Sequence, residues 1–335
     1  LTVAAGALAR EGLLVTRSHA IETLARATHV VFDKTGTLTT GRLSLVDVLP
    51  FSNLGARECL ALAAAIEHAS EHPIGAALRA AAGALPDKPA ALDATVNEPG
   101  AGISAKDGAR TLRIGKPAYV AALCGQALPA AAAQFVESGD TVIALGDEAG
   151  WLALFRFADE VRPQALAMSA ALRAEGRTLV LLTGDALPAA RRVAQSLAIA
   201  VVEAGASPQM KHDYVRALQA NGAIVAMVGD GVNDAPVLAA AQVSVAMGGG
   251  SELARTQADL VLLSDNLGHL ASAASIARRS LRIVRQNLVW AFAYNIVALP
   301  LAMAGWVSPW LAGVGMSGSS LLVVLNSLRL QRGKK

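Results

Sequence analysis

Three short stretches of this chain hold carboxylates where they could act on a phosphoryl group. Asp33-Lys34-Thr35-Gly36-Thr37-Leu38-Thr39 sets an aspartate directly after the apolar run Thr28-His29-Val30-Val31-Phe32. A carboxylate held there can attack phosphorus and become an aspartyl phosphate. Such a transfer needs positive charge around the moving group and a metal ion such as Mg²⁺. Gly229-Asp230-Gly231-Val232-Asn233-Asp234 offers hard oxygen ligands for that ion in Asp230 and Asp234. Lys211 can balance phosphate charge, and the hydroxyls of Thr35 and Thr183 can hydrogen-bond its oxygens. Thr35 has a second consequence. A phosphatase of this design would hold a second aspartate there as general acid and base, and a threonine cannot activate water in that way. The phosphorylated form is therefore expected to persist until another part of the protein hydrolyses it.

The pattern of apolar residues predicts the elements that position these groups. Residues 28–32 end in Asp33, residues 178–182 end in Thr183-Gly184-Asp185, and residues 223–228 end in Gly229-Asp230-Gly231. Each is a buried-strand pattern with polar residues at its carboxyl end. Helical patterns lie between them at 188–197, 211–220 and 234–241. That rhythm predicts a parallel sheet with helices on both faces. Ligands of such sheets bind at the carboxyl ends of the strands, so three Asp-bearing loops are expected to converge on one edge. Between Leu43 and Phe157 the pattern changes. Helical signals at 56–69 and 73–85 lead into Gly-rich, strand-like segments, and Gly146-Asp147-Glu148-Ala149-Gly150 reads as a hairpin turn between 141–145 and 151–155. This region reads as an inserted α+β domain with Pro86-Asp87-Lys88-Pro89 as an internal loop.

Composition adds a membrane. Of 335 residues 53% are hydrophobic and 16% charged, with a mean hydropathy of +0.43, which is too apolar for a disordered chain and lightly charged for a soluble enzyme. A net charge of +3 gives little support for a nucleic-acid surface. Cys59 and Cys124 are the only cysteines, which excludes a disulfide scaffold and a C-x-x-C metal site in these residues. The excess apolarity is concentrated in 286–328, 43 residues without Asp, Glu, Lys or Arg. One membrane helix needs about 20 residues, so the stretch fits two spans broken at Trp306-Val307-Ser308-Pro309-Trp310. Trp290, Trp306 and Trp310 suit a membrane–water interface. Arg278, Arg279, Arg282 and Arg285 precede the first span, and Arg329, Arg332, Lys334 and Lys335 follow the second. Basic flanks stay in the cytoplasm, so both ends of the hairpin and the preceding domains are expected there. The chain begins at Leu1 without a signal-peptide pattern and reads as a fragment or processed product, with residues 1–11 as the stump of a truncated span.

Asp33-Lys34-Thr35-Gly36-Thr37, Thr183-Gly184-Asp185 and Gly229-Asp230-Gly231-Val232-Asn233-Asp234-Ala235-Pro236 together resemble the signatures of P-type ATPases, ion pumps that use a phosphoaspartate. The resemblance covers essentially the whole chain. It implies an α/β fold: a haloacid-dehalogenase-like parallel-sheet phosphorylation domain (12–42 and 158–279) with an inserted α+β nucleotide-binding domain (43–157), followed by two transmembrane helices and a tail (280–335). It also implies a catalytic set of Asp33, Lys34, Thr35, Thr183, Gly184, Asp185, Lys211 and Asn233, with Mg²⁺ held by Asp33, Thr35, Asp230 and Asp234. Glu67-His68-Ala69-Ser70-Glu71-His72-Pro73 resembles the nucleotide motif of the heavy-metal pumps, in which the residues matching Glu67 and His72 contact or orient ATP. Gly100-Ala101-Gly102 resembles their Gly-x-Gly element, where missing side chains let the nucleotide approach the backbone. These pumps commonly carry Gly-Asn near the end of the domain. Here Gly115-Lys116 stands instead, and Lys116 could reach a phosphate.

The membrane hairpin also resembles the copper branch of the family, through Tyr294-Asn295 in its first span and Met316 with Ser319-Ser320 in the other. Met316 and Ser320 are four apart and share a helix face, and a thioether suits Cu(I). Because polar groups in lipid are costly, Tyr294, Asn295, Ser319 and Ser320 are expected to face the protein interior. The resemblance implies partners in the rest of the pump, with its actuator domain and earlier helices, in the membrane (for a bacterium, the inner one) and in a copper chaperone. Two other readings stand beside the copper pump. One is a pump for zinc or another ion, although a zinc path would carry an intramembrane carboxylate and this hairpin has none. The other is a membrane-tethered phosphatase, against which Thr35 and the large insertion argue.

Overall fold

The computed structural model describes residues 2–83, 92–231 and 234–330. The loop expected at 86–89, Asn233 and the basic residues 332, 334 and 335 lie outside these. In chain order the strands are β1 (Leu13–Val15), β2 (His29–Phe32), β3 (Thr39–Pro50), β4 (Asp93–Glu98), β5 (Gly102–Asp107), β6 (Arg110–Gly115), β7 (Thr141–Asp147), β8 (Gly150–Val161), β9 (Thr178–Leu182), β10 (Val201–Glu203), β11 (Val225–Gly229), β12 (Val243–Ala246) and β13 (Leu260–Leu262). They form two sheets in two compact units. One unit comprises Leu1–Leu38, Arg162–Gly184 and Ala194–Lys335, and the other Thr39–Val161 with Asp185–Val193.

The first unit is built on a seven-stranded sheet in the order β1-β13-β12-β11-β2-β9-β10. All neighbours are parallel except β1, which pairs antiparallel with β13, Leu13 opposite Leu262. This edge strand is not visible in the sequence pattern, because three residues are too few to show a period. The central strands β2, β9 and β11 are apolar throughout because both faces are covered, and Val31, Val180, Val225 and Met227 share one core with Val215 and Val237 of the flanking helices. From β2 the later strands are laid down first on one side, as β9 and β10, and then on the other, as β11, β12 and β13. The order of strands therefore reverses beside β2, and the loops after β2 and β11 leave the sheet at that reversal. The N-terminal residues form the helix Thr2–Arg10, with Ala4, Ala7 and Leu8 buried.

The second unit is a six-stranded antiparallel sheet in the order β3-β8-β7-β6-β5-β4. Helices Ala56–Ile66 and Pro73–Ala82 cover it, through Cys59, Ala63, Leu78, Ile114 and Phe155 among others. The strand β3 that enters this unit and the strand β8 that leaves it lie side by side, paired from Thr39 opposite Val161 to Pro50 opposite Ala153. A phosphorylation sheet with an α+β insertion is thus the fold that the sequence implies.

The long helix Gly268–Met303 and the final helix Pro309–Leu328 are both long and apolar enough to cross a membrane. Ser308 caps the second, its hydroxyl accepting from the Leu311 N–H at 3.3 Å, and Pro309 takes the first helical position.

Gly102 and Gly115 face each other across β5 and β6. A Cβ on Gly102 would run into the Ile114 carbonyl and the Gly115 Cα, both backbone atoms that cannot swing aside. Gly102→Ala is expected to lower the stability of this unit by about 1–3 kcal/mol, read from urea unfolding. A stability equal to that of the parent would mean that the strands part without cost.

Candidate active site

Asp33 follows β2 directly and is held there by its own backbone, whose N–H donates to the Val228 carbonyl of β11 at 3.0 Å. Its carboxylate is about nine-tenths buried. Lys211 lies in the first turn of the helix Pro208–Ala220, which begins earlier than the sequence pattern shows. Ser207 caps it, accepting from the Met210 N–H at 3.2 Å, and Pro208 occupies the first position. That start aims Lys211 into the site, where Nζ donates to Asp33 Oδ1 at 2.6 Å and to Asp234 Oδ1 at 2.8 Å. Asp230, at the end of β11, lies against Gly36, and a Cβ on Gly36 would meet its carboxylate. Gly36 also has φ +72°, so both its conformation and its neighbour call for glycine.

Burial, and then the charges of Asp234 and Asp230, push the Asp33 carboxyl up to about 7 against the opposing pull of Lys211. Burial works to lower the Lys211 ammonium, but its attraction to Asp33 and Asp234 outweighs this and raises it. Lys211 is thus shared by two buried carboxylates. Among the described residues no three His, Cys, Asp or Glu side chains form a ready-made metal cluster. The hard oxygens of Asp33, Asp230 and Asp234 are nevertheless donors that Mg²⁺ accepts.

Lys34 is buried beside Asp33, while Thr35 is exposed in the same loop. Thr183 closes β9, the strand next to β2. Its N–H donates to the Glu203 carbonyl at 2.9 Å, and its own carbonyl accepts from Ala206 at 3.0 Å. Gly184 follows it, and Asp185 falls in the second compact unit. Arg162, which the sequence pattern did not single out, holds the loop after Asp33 in place. It donates to the carbonyls of Gly36 and Thr37 at 2.9 Å each. Its only signal in the sequence is its place as the first residue after the insertion.

In the second unit Glu67, His72, Gly100, Gly102 and Lys116 line one pocket of about 390 Å³, with Ser70, Ile103 and Thr141 also in its wall. Oε2 of Glu67 is buried and has no partner among the described residues, so it is an acceptor waiting for a donor. His72 caps the helix Pro73–Ala82, its Nδ1 accepting from the Ile74 N–H at 3.2 Å. The neutral ring therefore carries its proton on Nε2. The volume lies in the range of small-molecule sites, about 300–1,000 Å³, and an unpaired carboxylate oxygen suits an exocyclic amine.

The two apolar helices meet along a seam of polar contacts. Asn287 Nδ2 donates to Ser327 Oγ at 3.0 Å, Trp290 Nε1 donates to Ser319 Oγ at 3.1 Å, and Gly315 leaves room for the Tyr294 hydroxyl. Tyr294 and Ser319 face this seam. Asn295 and Ser320 do not, and both lie on the exposed surface of this chain together with Met316. The reason is helical geometry. Each is one residue, about 100° of turn, past a seam position.

A model of the haloacid dehalogenase-like hydrolases matches residues 27–242, and the chain belongs to that family. Over nearly its whole length it is similar to P-type cation ATPases. It is 39% identical over 340 residues to the probable copper-transporting ATPase SynA of Synechococcus elongatus, covering 99% of this chain and 42% of that protein. It is 40% identical over 332 residues to the cation-transporting P-type ATPase B of Mycobacterium leprae, covering 98% and 44%. Its structure matches the crystal structure of a zinc-transporting PIB-type ATPase in the E2.Pi state with a TM-score of 0.88 and 32% identity, over 98% of this chain and 54% of that one. The chain thus spans less than half the length of the two relatives matched by sequence.

Removing Lys211 would leave two carboxylates buried without a cation. Lys211→Met is expected to cost about 3–5 kcal/mol near pH 8, as breaking a buried pair does. The cost should shrink toward pH 5. Asp33 binds its proton more tightly folded than unfolded, so its ionisation costs stability as pH rises from its ordinary 3.8 through about 7, and without Lys211 that cost grows. Urea midpoints of variant and parent at the two pH values check this. A gap that does not change with pH would refute it.

Proposed function

We propose that this chain is the ATP-binding, phosphorylation and final membrane portion of a P-type pump that moves Cu(I). The observation that carries the reading is the Asp33–Lys211–Asp234 cluster at the reversal point of a parallel sheet. Asp33 attacks the γ-phosphorus of ATP through a carboxylate oxygen, and ADP leaves. The Asp33 anion is the reactive form, so added positive charge that lowers its proton affinity prepares it for attack. Mg²⁺, held by Asp33, Asp230 and Asp234 with Thr35 beside them, would supply that charge and shield the transferred group. Lys211 balances the phosphate charge, Thr183 hydrogen-bonds its oxygens, and Lys34, Gly184, Asp185 and Asn233 complete the set that the family resemblance assigns. Thr35 offers no second carboxylate to activate water, which suits a lasting phosphoenzyme.

ATP fits the pocket of the second unit. The open Glu67 oxygen meets the adenine amine, His72 orients the nucleotide through Nε2, Gly100 and Gly102 let it approach the backbone, and Lys116 reaches a phosphate. The apolar helices cross a membrane, a bacterial inner membrane in this reading, with both units on the cytoplasmic side. The exposed Asn295, Met316 and Ser320, with Tyr294 close by, then face the remaining helices of the pump. No carboxylate lies in 286–328, which favours a soft monovalent ion over a divalent one. The structural likeness to a zinc transporter supports zinc as the second reading. The actuator domain and earlier helices are the partners required, with a copper chaperone as the soluble donor.

In the full-length pump, Asp33→Asn should abolish the acid-stable phosphoenzyme formed from labelled ATP. Label at the parent's level would remove Asp33 from its role. Met316→Leu conserves volume and should cost less than about 1.5 kcal/mol in stability. Cu(I)-stimulated ATPase should fall in this variant while phosphorylation from inorganic phosphate survives. Full Cu(I) stimulation would reduce Met316 to packing, and stronger stimulation of the parent by Zn²⁺ than by Cu(I) would exchange the ion.

A further inference from the structure

At the charged end of the hairpin the long helix and the final helix enclose a second feature. A cleft of about 120 Å³ is lined by Arg279, Arg282, Ile283, Gln286 and Arg329. Two guanidinium groups of the long helix and one just past the end of the final helix share it, and no acidic side chain is among its lining. Arg278, one residue away, lies 3.6 Å from Glu175. Arg282 and Arg329 pair with no carboxylate among the described residues. Like charges gathered this closely repel one another, so an anion between them is favoured.

The cleft is held in shape by its own polar contacts. Asn326 Nδ2 donates to Asn287 Oδ1 at 2.8 Å and to Gln286 Oε1 at 3.3 Å, which ties the two helices together. Arg329 donates to Asn326 Oδ1 at 3.1 Å, so its guanidinium is anchored to that bridge. The volume is too small for a nucleotide, whose sites run to about 300 Å³ or more. It suits one phosphate group, which arginine forks bind in a bidentate way.

What lies beyond the cleft selects the source of that phosphate. Residues 286–328 carry no charge, and within them Leu325, on the side of the final helix opposite Met316, is 52% exposed, with Leu328 at the same end. A cationic cleft therefore borders an open apolar helix surface. A free phosphate would use only the first part, whereas a lipid uses both.

We propose that the Arg279–Arg282–Arg329 cleft binds the phosphate headgroup of an anionic phospholipid, with its acyl chains along the exposed leucines. The inference rests on the reading of the hairpin as membrane-spanning.

The test is made on the full-length protein carrying this chain, reconstituted in phosphatidylcholine bilayers. Spin-labelled phosphatidylglycerol and spin-labelled phosphatidylcholine are compared as probes of the motionally restricted lipid. The parent is expected to prefer phosphatidylglycerol, and the double variant Arg282→Gln/Arg329→Gln to lose about fivefold or more of that preference. A double variant with the same change in charge outside the cleft, Arg26→Gln/Arg285→Gln, is expected to keep it. An equal loss in both would mean diffuse attraction to the surface and would overturn the site. Inorganic phosphate added in millimolar excess is expected to leave the preference unchanged. If it erased the preference, the ligand would be soluble phosphate and not a lipid. Equal restriction of the two lipids would overturn the site but leave the membrane reading standing, whereas restriction of neither would overturn both.

Discussion

Everything at the active site depends on one ammonium group shared by two buried carboxylates. Lys211 lies within 2.8 Å of both Asp33 and Asp234, in surroundings that raise the proton affinity of Asp33. A lone carboxylate at that depth would protonate, and a protonated acid is no nucleophile. A fully paired one would be held too tightly to react. Two acids that share one base leave Asp33 poised between these extremes. The architecture serves that arrangement. The reversal of strand order beside β2 brings the ends of β2 and β11 together, and the Ser207 cap with Pro208 starts the lysine-bearing helix at the residue that lets Lys211 reach in.

Much of this could be read from the residues. The apolar runs ending in Asp33, Thr183 and Asp230 mark strands buried on both faces, and burial on both faces leaves little for such a run to be except a central strand. The five residues that the sequence motifs proposed for a nucleotide line one pocket in the structure. Other features left no trace because they depend on contacts distant in sequence. Arg162 carries no motif, and only the folded loop reveals that its guanidinium holds the carbonyls of Gly36 and Thr37. The edge strand β1 is three residues long and owes its existence to β13, not to any pattern of its own.

The hairpin of two apolar helices shows the same boundary. Composition alone located it and its break. Composition could not say which polar residues would be used between its two helices. Tyr294 and Ser319 take the seam, while Asn295, Met316 and Ser320 are turned about 100° away from it, the angle of one residue in a helix. Polar residues in such a pair therefore divide into those that join the two helices and those left for something else to contact.

The long pairing of β3 with β8 bears on how the chain folds. His29 of β2 must find Thr178 of β9, with an entire α+β unit between them in sequence. For a structureless loop the entropy of closure grows slowly, by about 0.6 kcal/mol for each doubling of length, but contacts so distant along the chain slow the search for the native state. Zipping β3 against β8 brings Leu38 and Arg162 together, where the Arg162 N–H donates to the Leu38 carbonyl at 2.9 Å. To the parallel sheet the insertion then behaves as a short tether. A mutation that frays this ladder would slow assembly of the phosphorylation sheet without touching any residue of that sheet.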